Sequence, residues 1–262
     1  MMRNCFSLTF FIVLIFSFSA MADNASDSIQ SIDGLFYRGM ELNYDLEGMT
    51  LIKKSYDLAT KALETDPDNY DLLWRCARAA SEYGETARGI EIEGWKDICR
   101  QWGKKGIDLT TKAQGINPDR VEAYYWQSHS VGIYSYASSL MDALNEGLYG
   151  KSVRSMEKAY EIDKSYLDYS PVYFFIMFYH RLPWPFKNRD KALKYYDEFS
   201  AMTKWSWESH VRYTYVAEFL LSLKDEKYTQ EGIKLIEAVL SSPHPRKFYQ
   251  DWASDIKQKT DL

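Results

Sequence analysis

The chain is short of the residues from which catalytic and metal centres are built. It holds 3 cysteines, none in a CxxC pair. It holds 4 histidines, His129, His180, His210 and His244, with no ligand spacing between them. A zinc site needs a close set of nitrogen and sulfur ligands, so no metal centre is expected. There is no nucleophile elbow, phosphate-binding glycine loop, HExxH or paired-carboxylate motif, so no catalytic residue can be nominated and no cofactor is implied. Basic runs are missing too. With a net charge of −5 and no basic face interleaved with aromatics, nothing points to nucleic acid. Proline is scarce at 7 residues, and no Pro/Ser-rich linker or shift of composition divides the chain. No stretch alternates in the manner of a half-buried strand. The longest apolar run, Phe6 to Phe18, is too short to cross a bilayer as a helix.

That run has another meaning. Arg3 precedes it, and Ala20-Met21-Ala22 follows as a small-x-small cleavage site. Residues 1–22 are therefore expected to be a secretory signal peptide and 23–262 a single exported domain, periplasmic or secreted. An uncleaved signal anchor is the other reading of the same pattern. Cys5 lies before the apolar run, so it cannot serve as a lipid-acceptor cysteine, and no stable membrane insertion is expected.

Helical periodicity fills the remainder. Ala192, Tyr195, Tyr196 and Phe199 follow the i, i+3, i+4, i+7 template, as do Val216, Phe219, Leu220 and Leu223. A small-residue pattern recurs ahead of helix stops: Ser55, Ala62, Pro67; then Gly106, Ala113, Pro118; then Ser152, Ala159, Lys164. Two small residues two turns apart and then a break suit the second helix of a close-packed hairpin. The intervals exceed the about 34 residues of a tetratricopeptide repeat. The expected fold is all-α, a tetratricopeptide-like helical-hairpin solenoid with elongated repeats. Helices are expected at about 28–44, 47–64, 70–83, 90–114, 119–144, 148–162, 171–181, 189–202, 207–224, 230–241 and 246–258. Asp66-Pro67-Asp68-Asn69 closes one helix and caps the next, Gly84 to Gly89 forms a turn, and Ser170-Pro171 starts a helix through the apolar Val172–Tyr179 stretch.

Aromatic residues are plentiful, with 21 Tyr, 8 Trp and 13 Phe, and they crowd between Tyr124 and Phe186. Such side chains fill cores, and they also line ligand pockets that need a few polar tips. Tyr125, Trp126 and His129 share a helical face, which Tyr173, Tyr179 and Trp184 can approach from the next hairpin. Arg75 and Arg78, one turn apart among small residues, suit a bidentate grip on a ligand carboxylate; alternatively they pair with Glu82, Glu85 or acids of another helix. Arg181 is a further cation near the aromatic region. These nine form the candidate ligand-binding set. Cys76 and Cys99 lie symmetrically about the expected Gly84–Gly89 turn, so a disulfide between them is possible if both face inward.

Leu72-Leu73-Trp74-Arg75-Cys76-Ala77-Arg78-Ala79, Tyr124-Tyr125-Trp126 leading to Gly132, Ala159-Tyr160-Glu161-Ile162-Asp163, Arg181-Leu182-Pro183, and Asp190-Lys191-Ala192 with Tyr196 follow one another along the chain. In this order they resemble the landmarks of TRAP-transporter T-component (TatT) proteins, across most of 50–241. The resemblance implies an exported tetratricopeptide-like helical protein, accessory to solute uptake, that binds a small hydrophobic or organic-acid ligand. It also implies a protein partner, either a transporter substrate-binding subunit or a second copy. This chain departs from the pattern in having no lipid-acceptor cysteine after its leader. The alternative is a peptide- or protein-binding scaffold in the periplasm. Either reading is non-enzymatic. We predict that the exported protein begins at Asp23 and is recovered free of membrane; intact mass decides, and an added acyl group or a retained leader would refute it.

Overall fold

The structure, a computed structural model, describes residues 28–42, 45–182, 184, 186–202, 210–242 and 247–259. The expected signal peptide 1–22 and its cleavage site lie outside the described residues. Among the described residues there are twelve helices and no strand. They are α1 (28–41), α2 (Leu46–Leu63), α3 (Tyr70–Gly89), α4 (Trp95–Ile116), α5 (Val121–Ser135) and α6 (Leu140–Asn145). After these come α7 (Leu148–Asp163), α8 (Tyr166–Arg181), α9 (Arg189–Met202), α10 (His210–Ser222), α11 (Glu226–Leu240) and α12 (Lys247–Lys259). Sequential helices pack as pairs: α2 with α3, α3 with α4, α8 with α9, α10 with α11. The fold is all-α and built of helical hairpins. No helix among the described residues is long and apolar enough to cross a membrane. Contacts group into two compact units, one from residues up to Pro118 with His129–Glu146, the other from Asp119–Ser128 and residues from Gly147 onward.

In the first unit, side chains cap helices where the sequence places them. Asp45 Oδ1 accepts the Gly48 N–H at 2.6 Å and Asn69 Oδ1 accepts the Leu72 N–H at 3.1 Å. The helices then approach closely. The Ser55 hydroxyl donates to the Ile32 carbonyl at 2.8 Å, while Gly39 faces Gly48. A Cβ on Gly39 would lie 2.8 Å from the Gly48 carbonyl oxygen, and one on Gly48 would lie 2.6 Å from that of Gly39. Glycine at both positions is what allows the backbones of α1 and α2 to touch. On α4, a Cβ at Gly106 would fall 2.2 Å from Ser130 Oγ, which itself lies 2.6 Å from Ser81 Oγ. The leading residues of the first two small-residue triplets thus mark helix contacts. The third does so in the second unit, where Ser152 Oγ meets Ser128 Oγ at 2.9 Å.

Several expected helix ends shift by a few residues, as where α8 starts at Tyr166 and α11 at Glu226, and two differences change the topology. There is no turn at Gly84–Gly89: α3 runs through it, aided by an i, i+3 pair between Glu85 and Arg88 at 2.5 Å. Gly84 is a packing glycine, because a Cβ there would lie 2.6 Å from Ile133 Cγ2. The chain reverses later, with left-handed Glu91 (φ 51°) and Gly94 (φ 75°). The expected 119–144 helix is two helices, since Ser139 Oγ accepts the Asp142 N–H at 3.1 Å and starts α6 anew.

The displaced turn overturns the disulfide. Both Cys76 and Cys99 are free and buried. Along the antiparallel α3–α4 hairpin, Cys99 Sγ lies level with Gly84, donating to its carbonyl at 3.4 Å, and Tyr83 meets Trp102. Cys76 instead packs in the cluster that includes Leu109, about ten residues further along α4. That offset is about 15 Å of helix, well beyond the reach of a disulfide. Cys76 Sγ sits 3.7 Å from Thr60 Oγ1 in the α2 interface.

In the second unit, the core is aromatic. Val121, Met156, Ala159 and Phe175 are buried together, with Tyr124, Tyr125, Tyr160, Tyr179 and Tyr195 packed around them. Phe175 stacks on Tyr195 at 4.7 Å and Tyr179 stacks on Tyr195 at 6.1 Å. The Val172–Tyr179 stretch is helical, as its Ser-Pro start indicates. Hydroxyls at this core find acceptors: Ser155 Oγ donates to Gln127 Oε1 at 2.5 Å, and Tyr160 donates to Glu198 at 2.7 Å.

Burial pushes the Cys76 thiol up to about 12 and the Cys99 thiol up to about 11. The unfolded chain releases these protons near pH 9 while the folded chain keeps them. Stability should therefore hold below about pH 9 and fall progressively as pH rises toward about 12. The native protein should show no thiol reactive toward a disulfide reagent, and the denatured, unreduced mature chain should show both. Failure to detect both would restore the disulfide.

Candidate functional site

The nine candidate residues divide between the units, and each unit is taken by itself. In the first, Arg75 and Arg78 do not present an open anion grip. Arg75 Nε donates to both oxygens of Asp33 at 3.0 Å, and its Nη1 reaches the Asp71 carbonyl at 2.9 Å and Asp71 Oδ1 at 3.1 Å. Arg78 Nη2 reaches the same Asp33 at 2.5 Å, and its guanidinium lies 3.9 Å from the Phe36 ring centre. Arg75 covers the Trp74 ring at 4.1 Å. The acid therefore comes from another helix, α1, while Glu82 and Glu85 are engaged elsewhere. Glu85 holds Arg88, and Glu82 Oε1 lies 4.0 Å from His129 Nε2. An open recess in this unit is lined by Asp45, Leu46, Glu47, Ile90 and Ile92 and carries no cation. Among the described residues no group of three or more His, Cys, Asp and Glu side chains is placed to hold a metal.

In the second unit, Tyr125 and Trp126 are part of the packing. Trp126 is buried and its Nε1 donates to the Tyr166 hydroxyl at 3.2 Å, with Tyr125 edge-on to both rings. Tyr179 belongs to the Phe175–Tyr195 stack, with Lys191 Nζ 5.0 Å from its ring centre. Trp184 lies apart from these stacks, 88 % exposed. Its expected rigid frame, Pro183 and Pro185, lies outside the described residues.

Tyr173 and Arg181, both on α8, share a neighbour in Tyr215 of α10. Tyr173 is half-buried, 6.1 Å from Tyr215 of α10 and 6.4 Å from Phe199 of α9. Tyr215 stands edge-on to Trp252 of α12 at 4.4 Å. The Arg181 guanidinium lies 4.5 Å from the Tyr215 ring centre and 5.7 Å from that of Trp252. It is a cation held against two π-faces. Its Nη2 donates to Glu218 at 2.5 Å, and the side chain remains 46 % exposed. Burial pushes the Tyr173 hydroxyl well above the usual tyrosine range, Tyr215 and Tyr249 push it further, and the charges of Arg181 and Arg212 pull it back. Each guanidinium is placed by its own partners, Arg181 by Glu218 and Tyr215, Arg212 by Asp168 and Ser170. No protein-family model matches this chain. No curated protein matches it in sequence either.

The sequence reading missed Arg212, Tyr215, Tyr249 and Trp252. A signal for them existed: Arg212 and Tyr215 are one turn apart on α10, and Tyr249 and Trp252 are one turn apart on α12. The set is mostly aromatic with two cationic tips, the composition of a site for a ligand with an apolar body and an acidic end.

The Asp33 cluster has a large energetic consequence because Arg78 is only 2 % exposed. Removing one partner of a buried ion pair leaves the other charge uncompensated. Asp33→Ala should cost about 3–5 kcal/mol in urea unfolding. Asp108→Ala, which breaks the exposed pair with Lys104, should cost under about 1 kcal/mol. Equal effects would show that Asp33 is not a structural anchor.

Proposed function

We propose that this protein binds rather than catalyses. It is an exported all-α protein, accessory to solute uptake of the TRAP type, and it takes a small amphipathic organic acid between α8, α10 and α12. In that role it acts with a transporter substrate-binding subunit or a second copy of itself. The observation that carries the ligand class is Arg181: laid on Tyr215 beside the half-buried Tyr173, it commits Nη2 to Glu218 and stays 46 % exposed. A carboxylate can take donors from such a guanidinium while its apolar body lies along the aromatic rings. The export and transporter elements rest on the leader pattern and the TatT resemblance. A periplasmic peptide- or protein-binding scaffold is the second reading, favoured by the largely bare indole of Trp184.

Calorimetry on the mature chain with 4-phenylbutyrate and its uncharged amide tests the reading. The acid should bind at least about tenfold more tightly than the amide, since a charge-assisted bond contributes about 1.5–3 kcal/mol. Arg181→Gln should erase the difference. If neither compound binds while an extended peptide does, the scaffold replaces the solute-binding protein.

A further inference from the structure

Leu167, Asp168 and Tyr169, at the start of α8, have φ of 46°, 56° and 59°. None is glycine. Left-handed geometry presses each Cβ toward the following carbonyl oxygen, and L-residues seldom adopt it in succession. Three such residues persist only where surrounding contacts hold them. Here one side chain from another helix does so. Arg212 of α10 donates from Nη2 to the Leu167 carbonyl at 2.5 Å and to the Ser170 hydroxyl at 2.8 Å, and from Nη1 to Asp168 Oδ2 at 3.0 Å. Ser170 Oγ adds a bond of its own to the Leu167 carbonyl at 2.7 Å. Tyr173 follows Ser170 by three residues on α8.

We propose that residues 167–169 form a strained latch, kept left-handed by Arg212, and that release of Arg212 relaxes the turn and re-aims Tyr173 within the site. The trigger rests on the proposed binding of an organic acid. A carboxylate arriving at Tyr173 lies one helical turn from Ser170, which Arg212 Nη2 holds at 2.8 Å, and it competes with Asp168 for the Arg212 fork. Binding then supplies the differential interaction that a two-state element requires. The latch couples occupancy of the site to the shape of the α8 entry.

Hydrogen exchange and thermal melting of the mature chain test this. Arg212→Lys keeps the charge but loses the planar fork, and should speed exchange of the 167–171 amides by at least about tenfold while α11 amides stay unchanged. Leu167→Gly leaves every bond to Arg212 in place and removes the Cβ that suffers. It should raise Tm by about 2 °C and blunt the effect of Arg212→Lys. A fall in Tm on Leu167→Gly, as for glycine in an ordinary helix, or unchanged exchange in Arg212→Lys, overturns the latch. Saturating 4-phenylbutyrate should speed the same amides in the wild-type protein. Calorimetric binding without that change overturns the coupling and leaves the binding function intact. Absence of binding overturns the function and the trigger, while the two variants still decide the strained turn.

Discussion

Close approach of helix backbones at small residues is the constraint on which the rest of the structure depends. At Gly39 and Gly48 two carbonyls occupy the space where side chains would begin, and at Gly106 a serine hydroxyl does so. Such contacts leave no tolerance for a methyl group, because close-packed interiors relax only partially around an inserted atom. They also bring hydroxyl pairs, Ser81 with Ser130 and Ser128 with Ser152, within bonding distance in buried surroundings. Polar satisfaction and tight packing are here one feature, since the helices touch where their small polar residues can serve each other.

Ion pairing follows the same economy within each unit. The buried guanidinium of Arg78 is covered by an aspartate and an aromatic ring, and Arg75 shares that aspartate. Such a cluster ties α1 to α3 in one arrangement, since a displaced α1 would strand two charges. Arg181 differs because it combines ring stacking with substantial exposure. That residual exposure separates Arg181 from a cation that closes a fold, and it has no counterpart in residue identity.

Much of the helical order was legible from caps and breakers. Asn69 caps α3 as its place after Asp66-Pro67-Asp68 indicates, and Ser170-Pro171 precedes right-handed helix. Gly84 misled because a glycine that admits a neighbouring isoleucine looks identical, in sequence, to one that turns the chain. The pairing of Arg75 with an acid on another helix was among the alternatives open at that stage, yet Asp33 was not identifiable: it lies 42 positions away and only packing brings it near. Of the candidate site, Tyr173 and Arg181 were legible as an aromatic and a cation on one helix. Their partners on α10 and α12 were not, because helical spacing identifies a face without saying what that face meets.

The free cysteines carry a consequence for the order of events during folding. Cys76 is shielded where α2, α3 and α4 meet and Cys99 where α4 meets α3, and the hairpin then holds the two thiols about 15 Å apart along its axis. An unfolded chain has no such separation, and in an oxidising compartment its thiols are free to meet. A disulfide formed at that moment would pin α3 and α4 out of register by about ten residues and block the native hairpin. In such a compartment, hairpin assembly is a race against thiol oxidation, one that a short local contact between neighbouring helices is well suited to win.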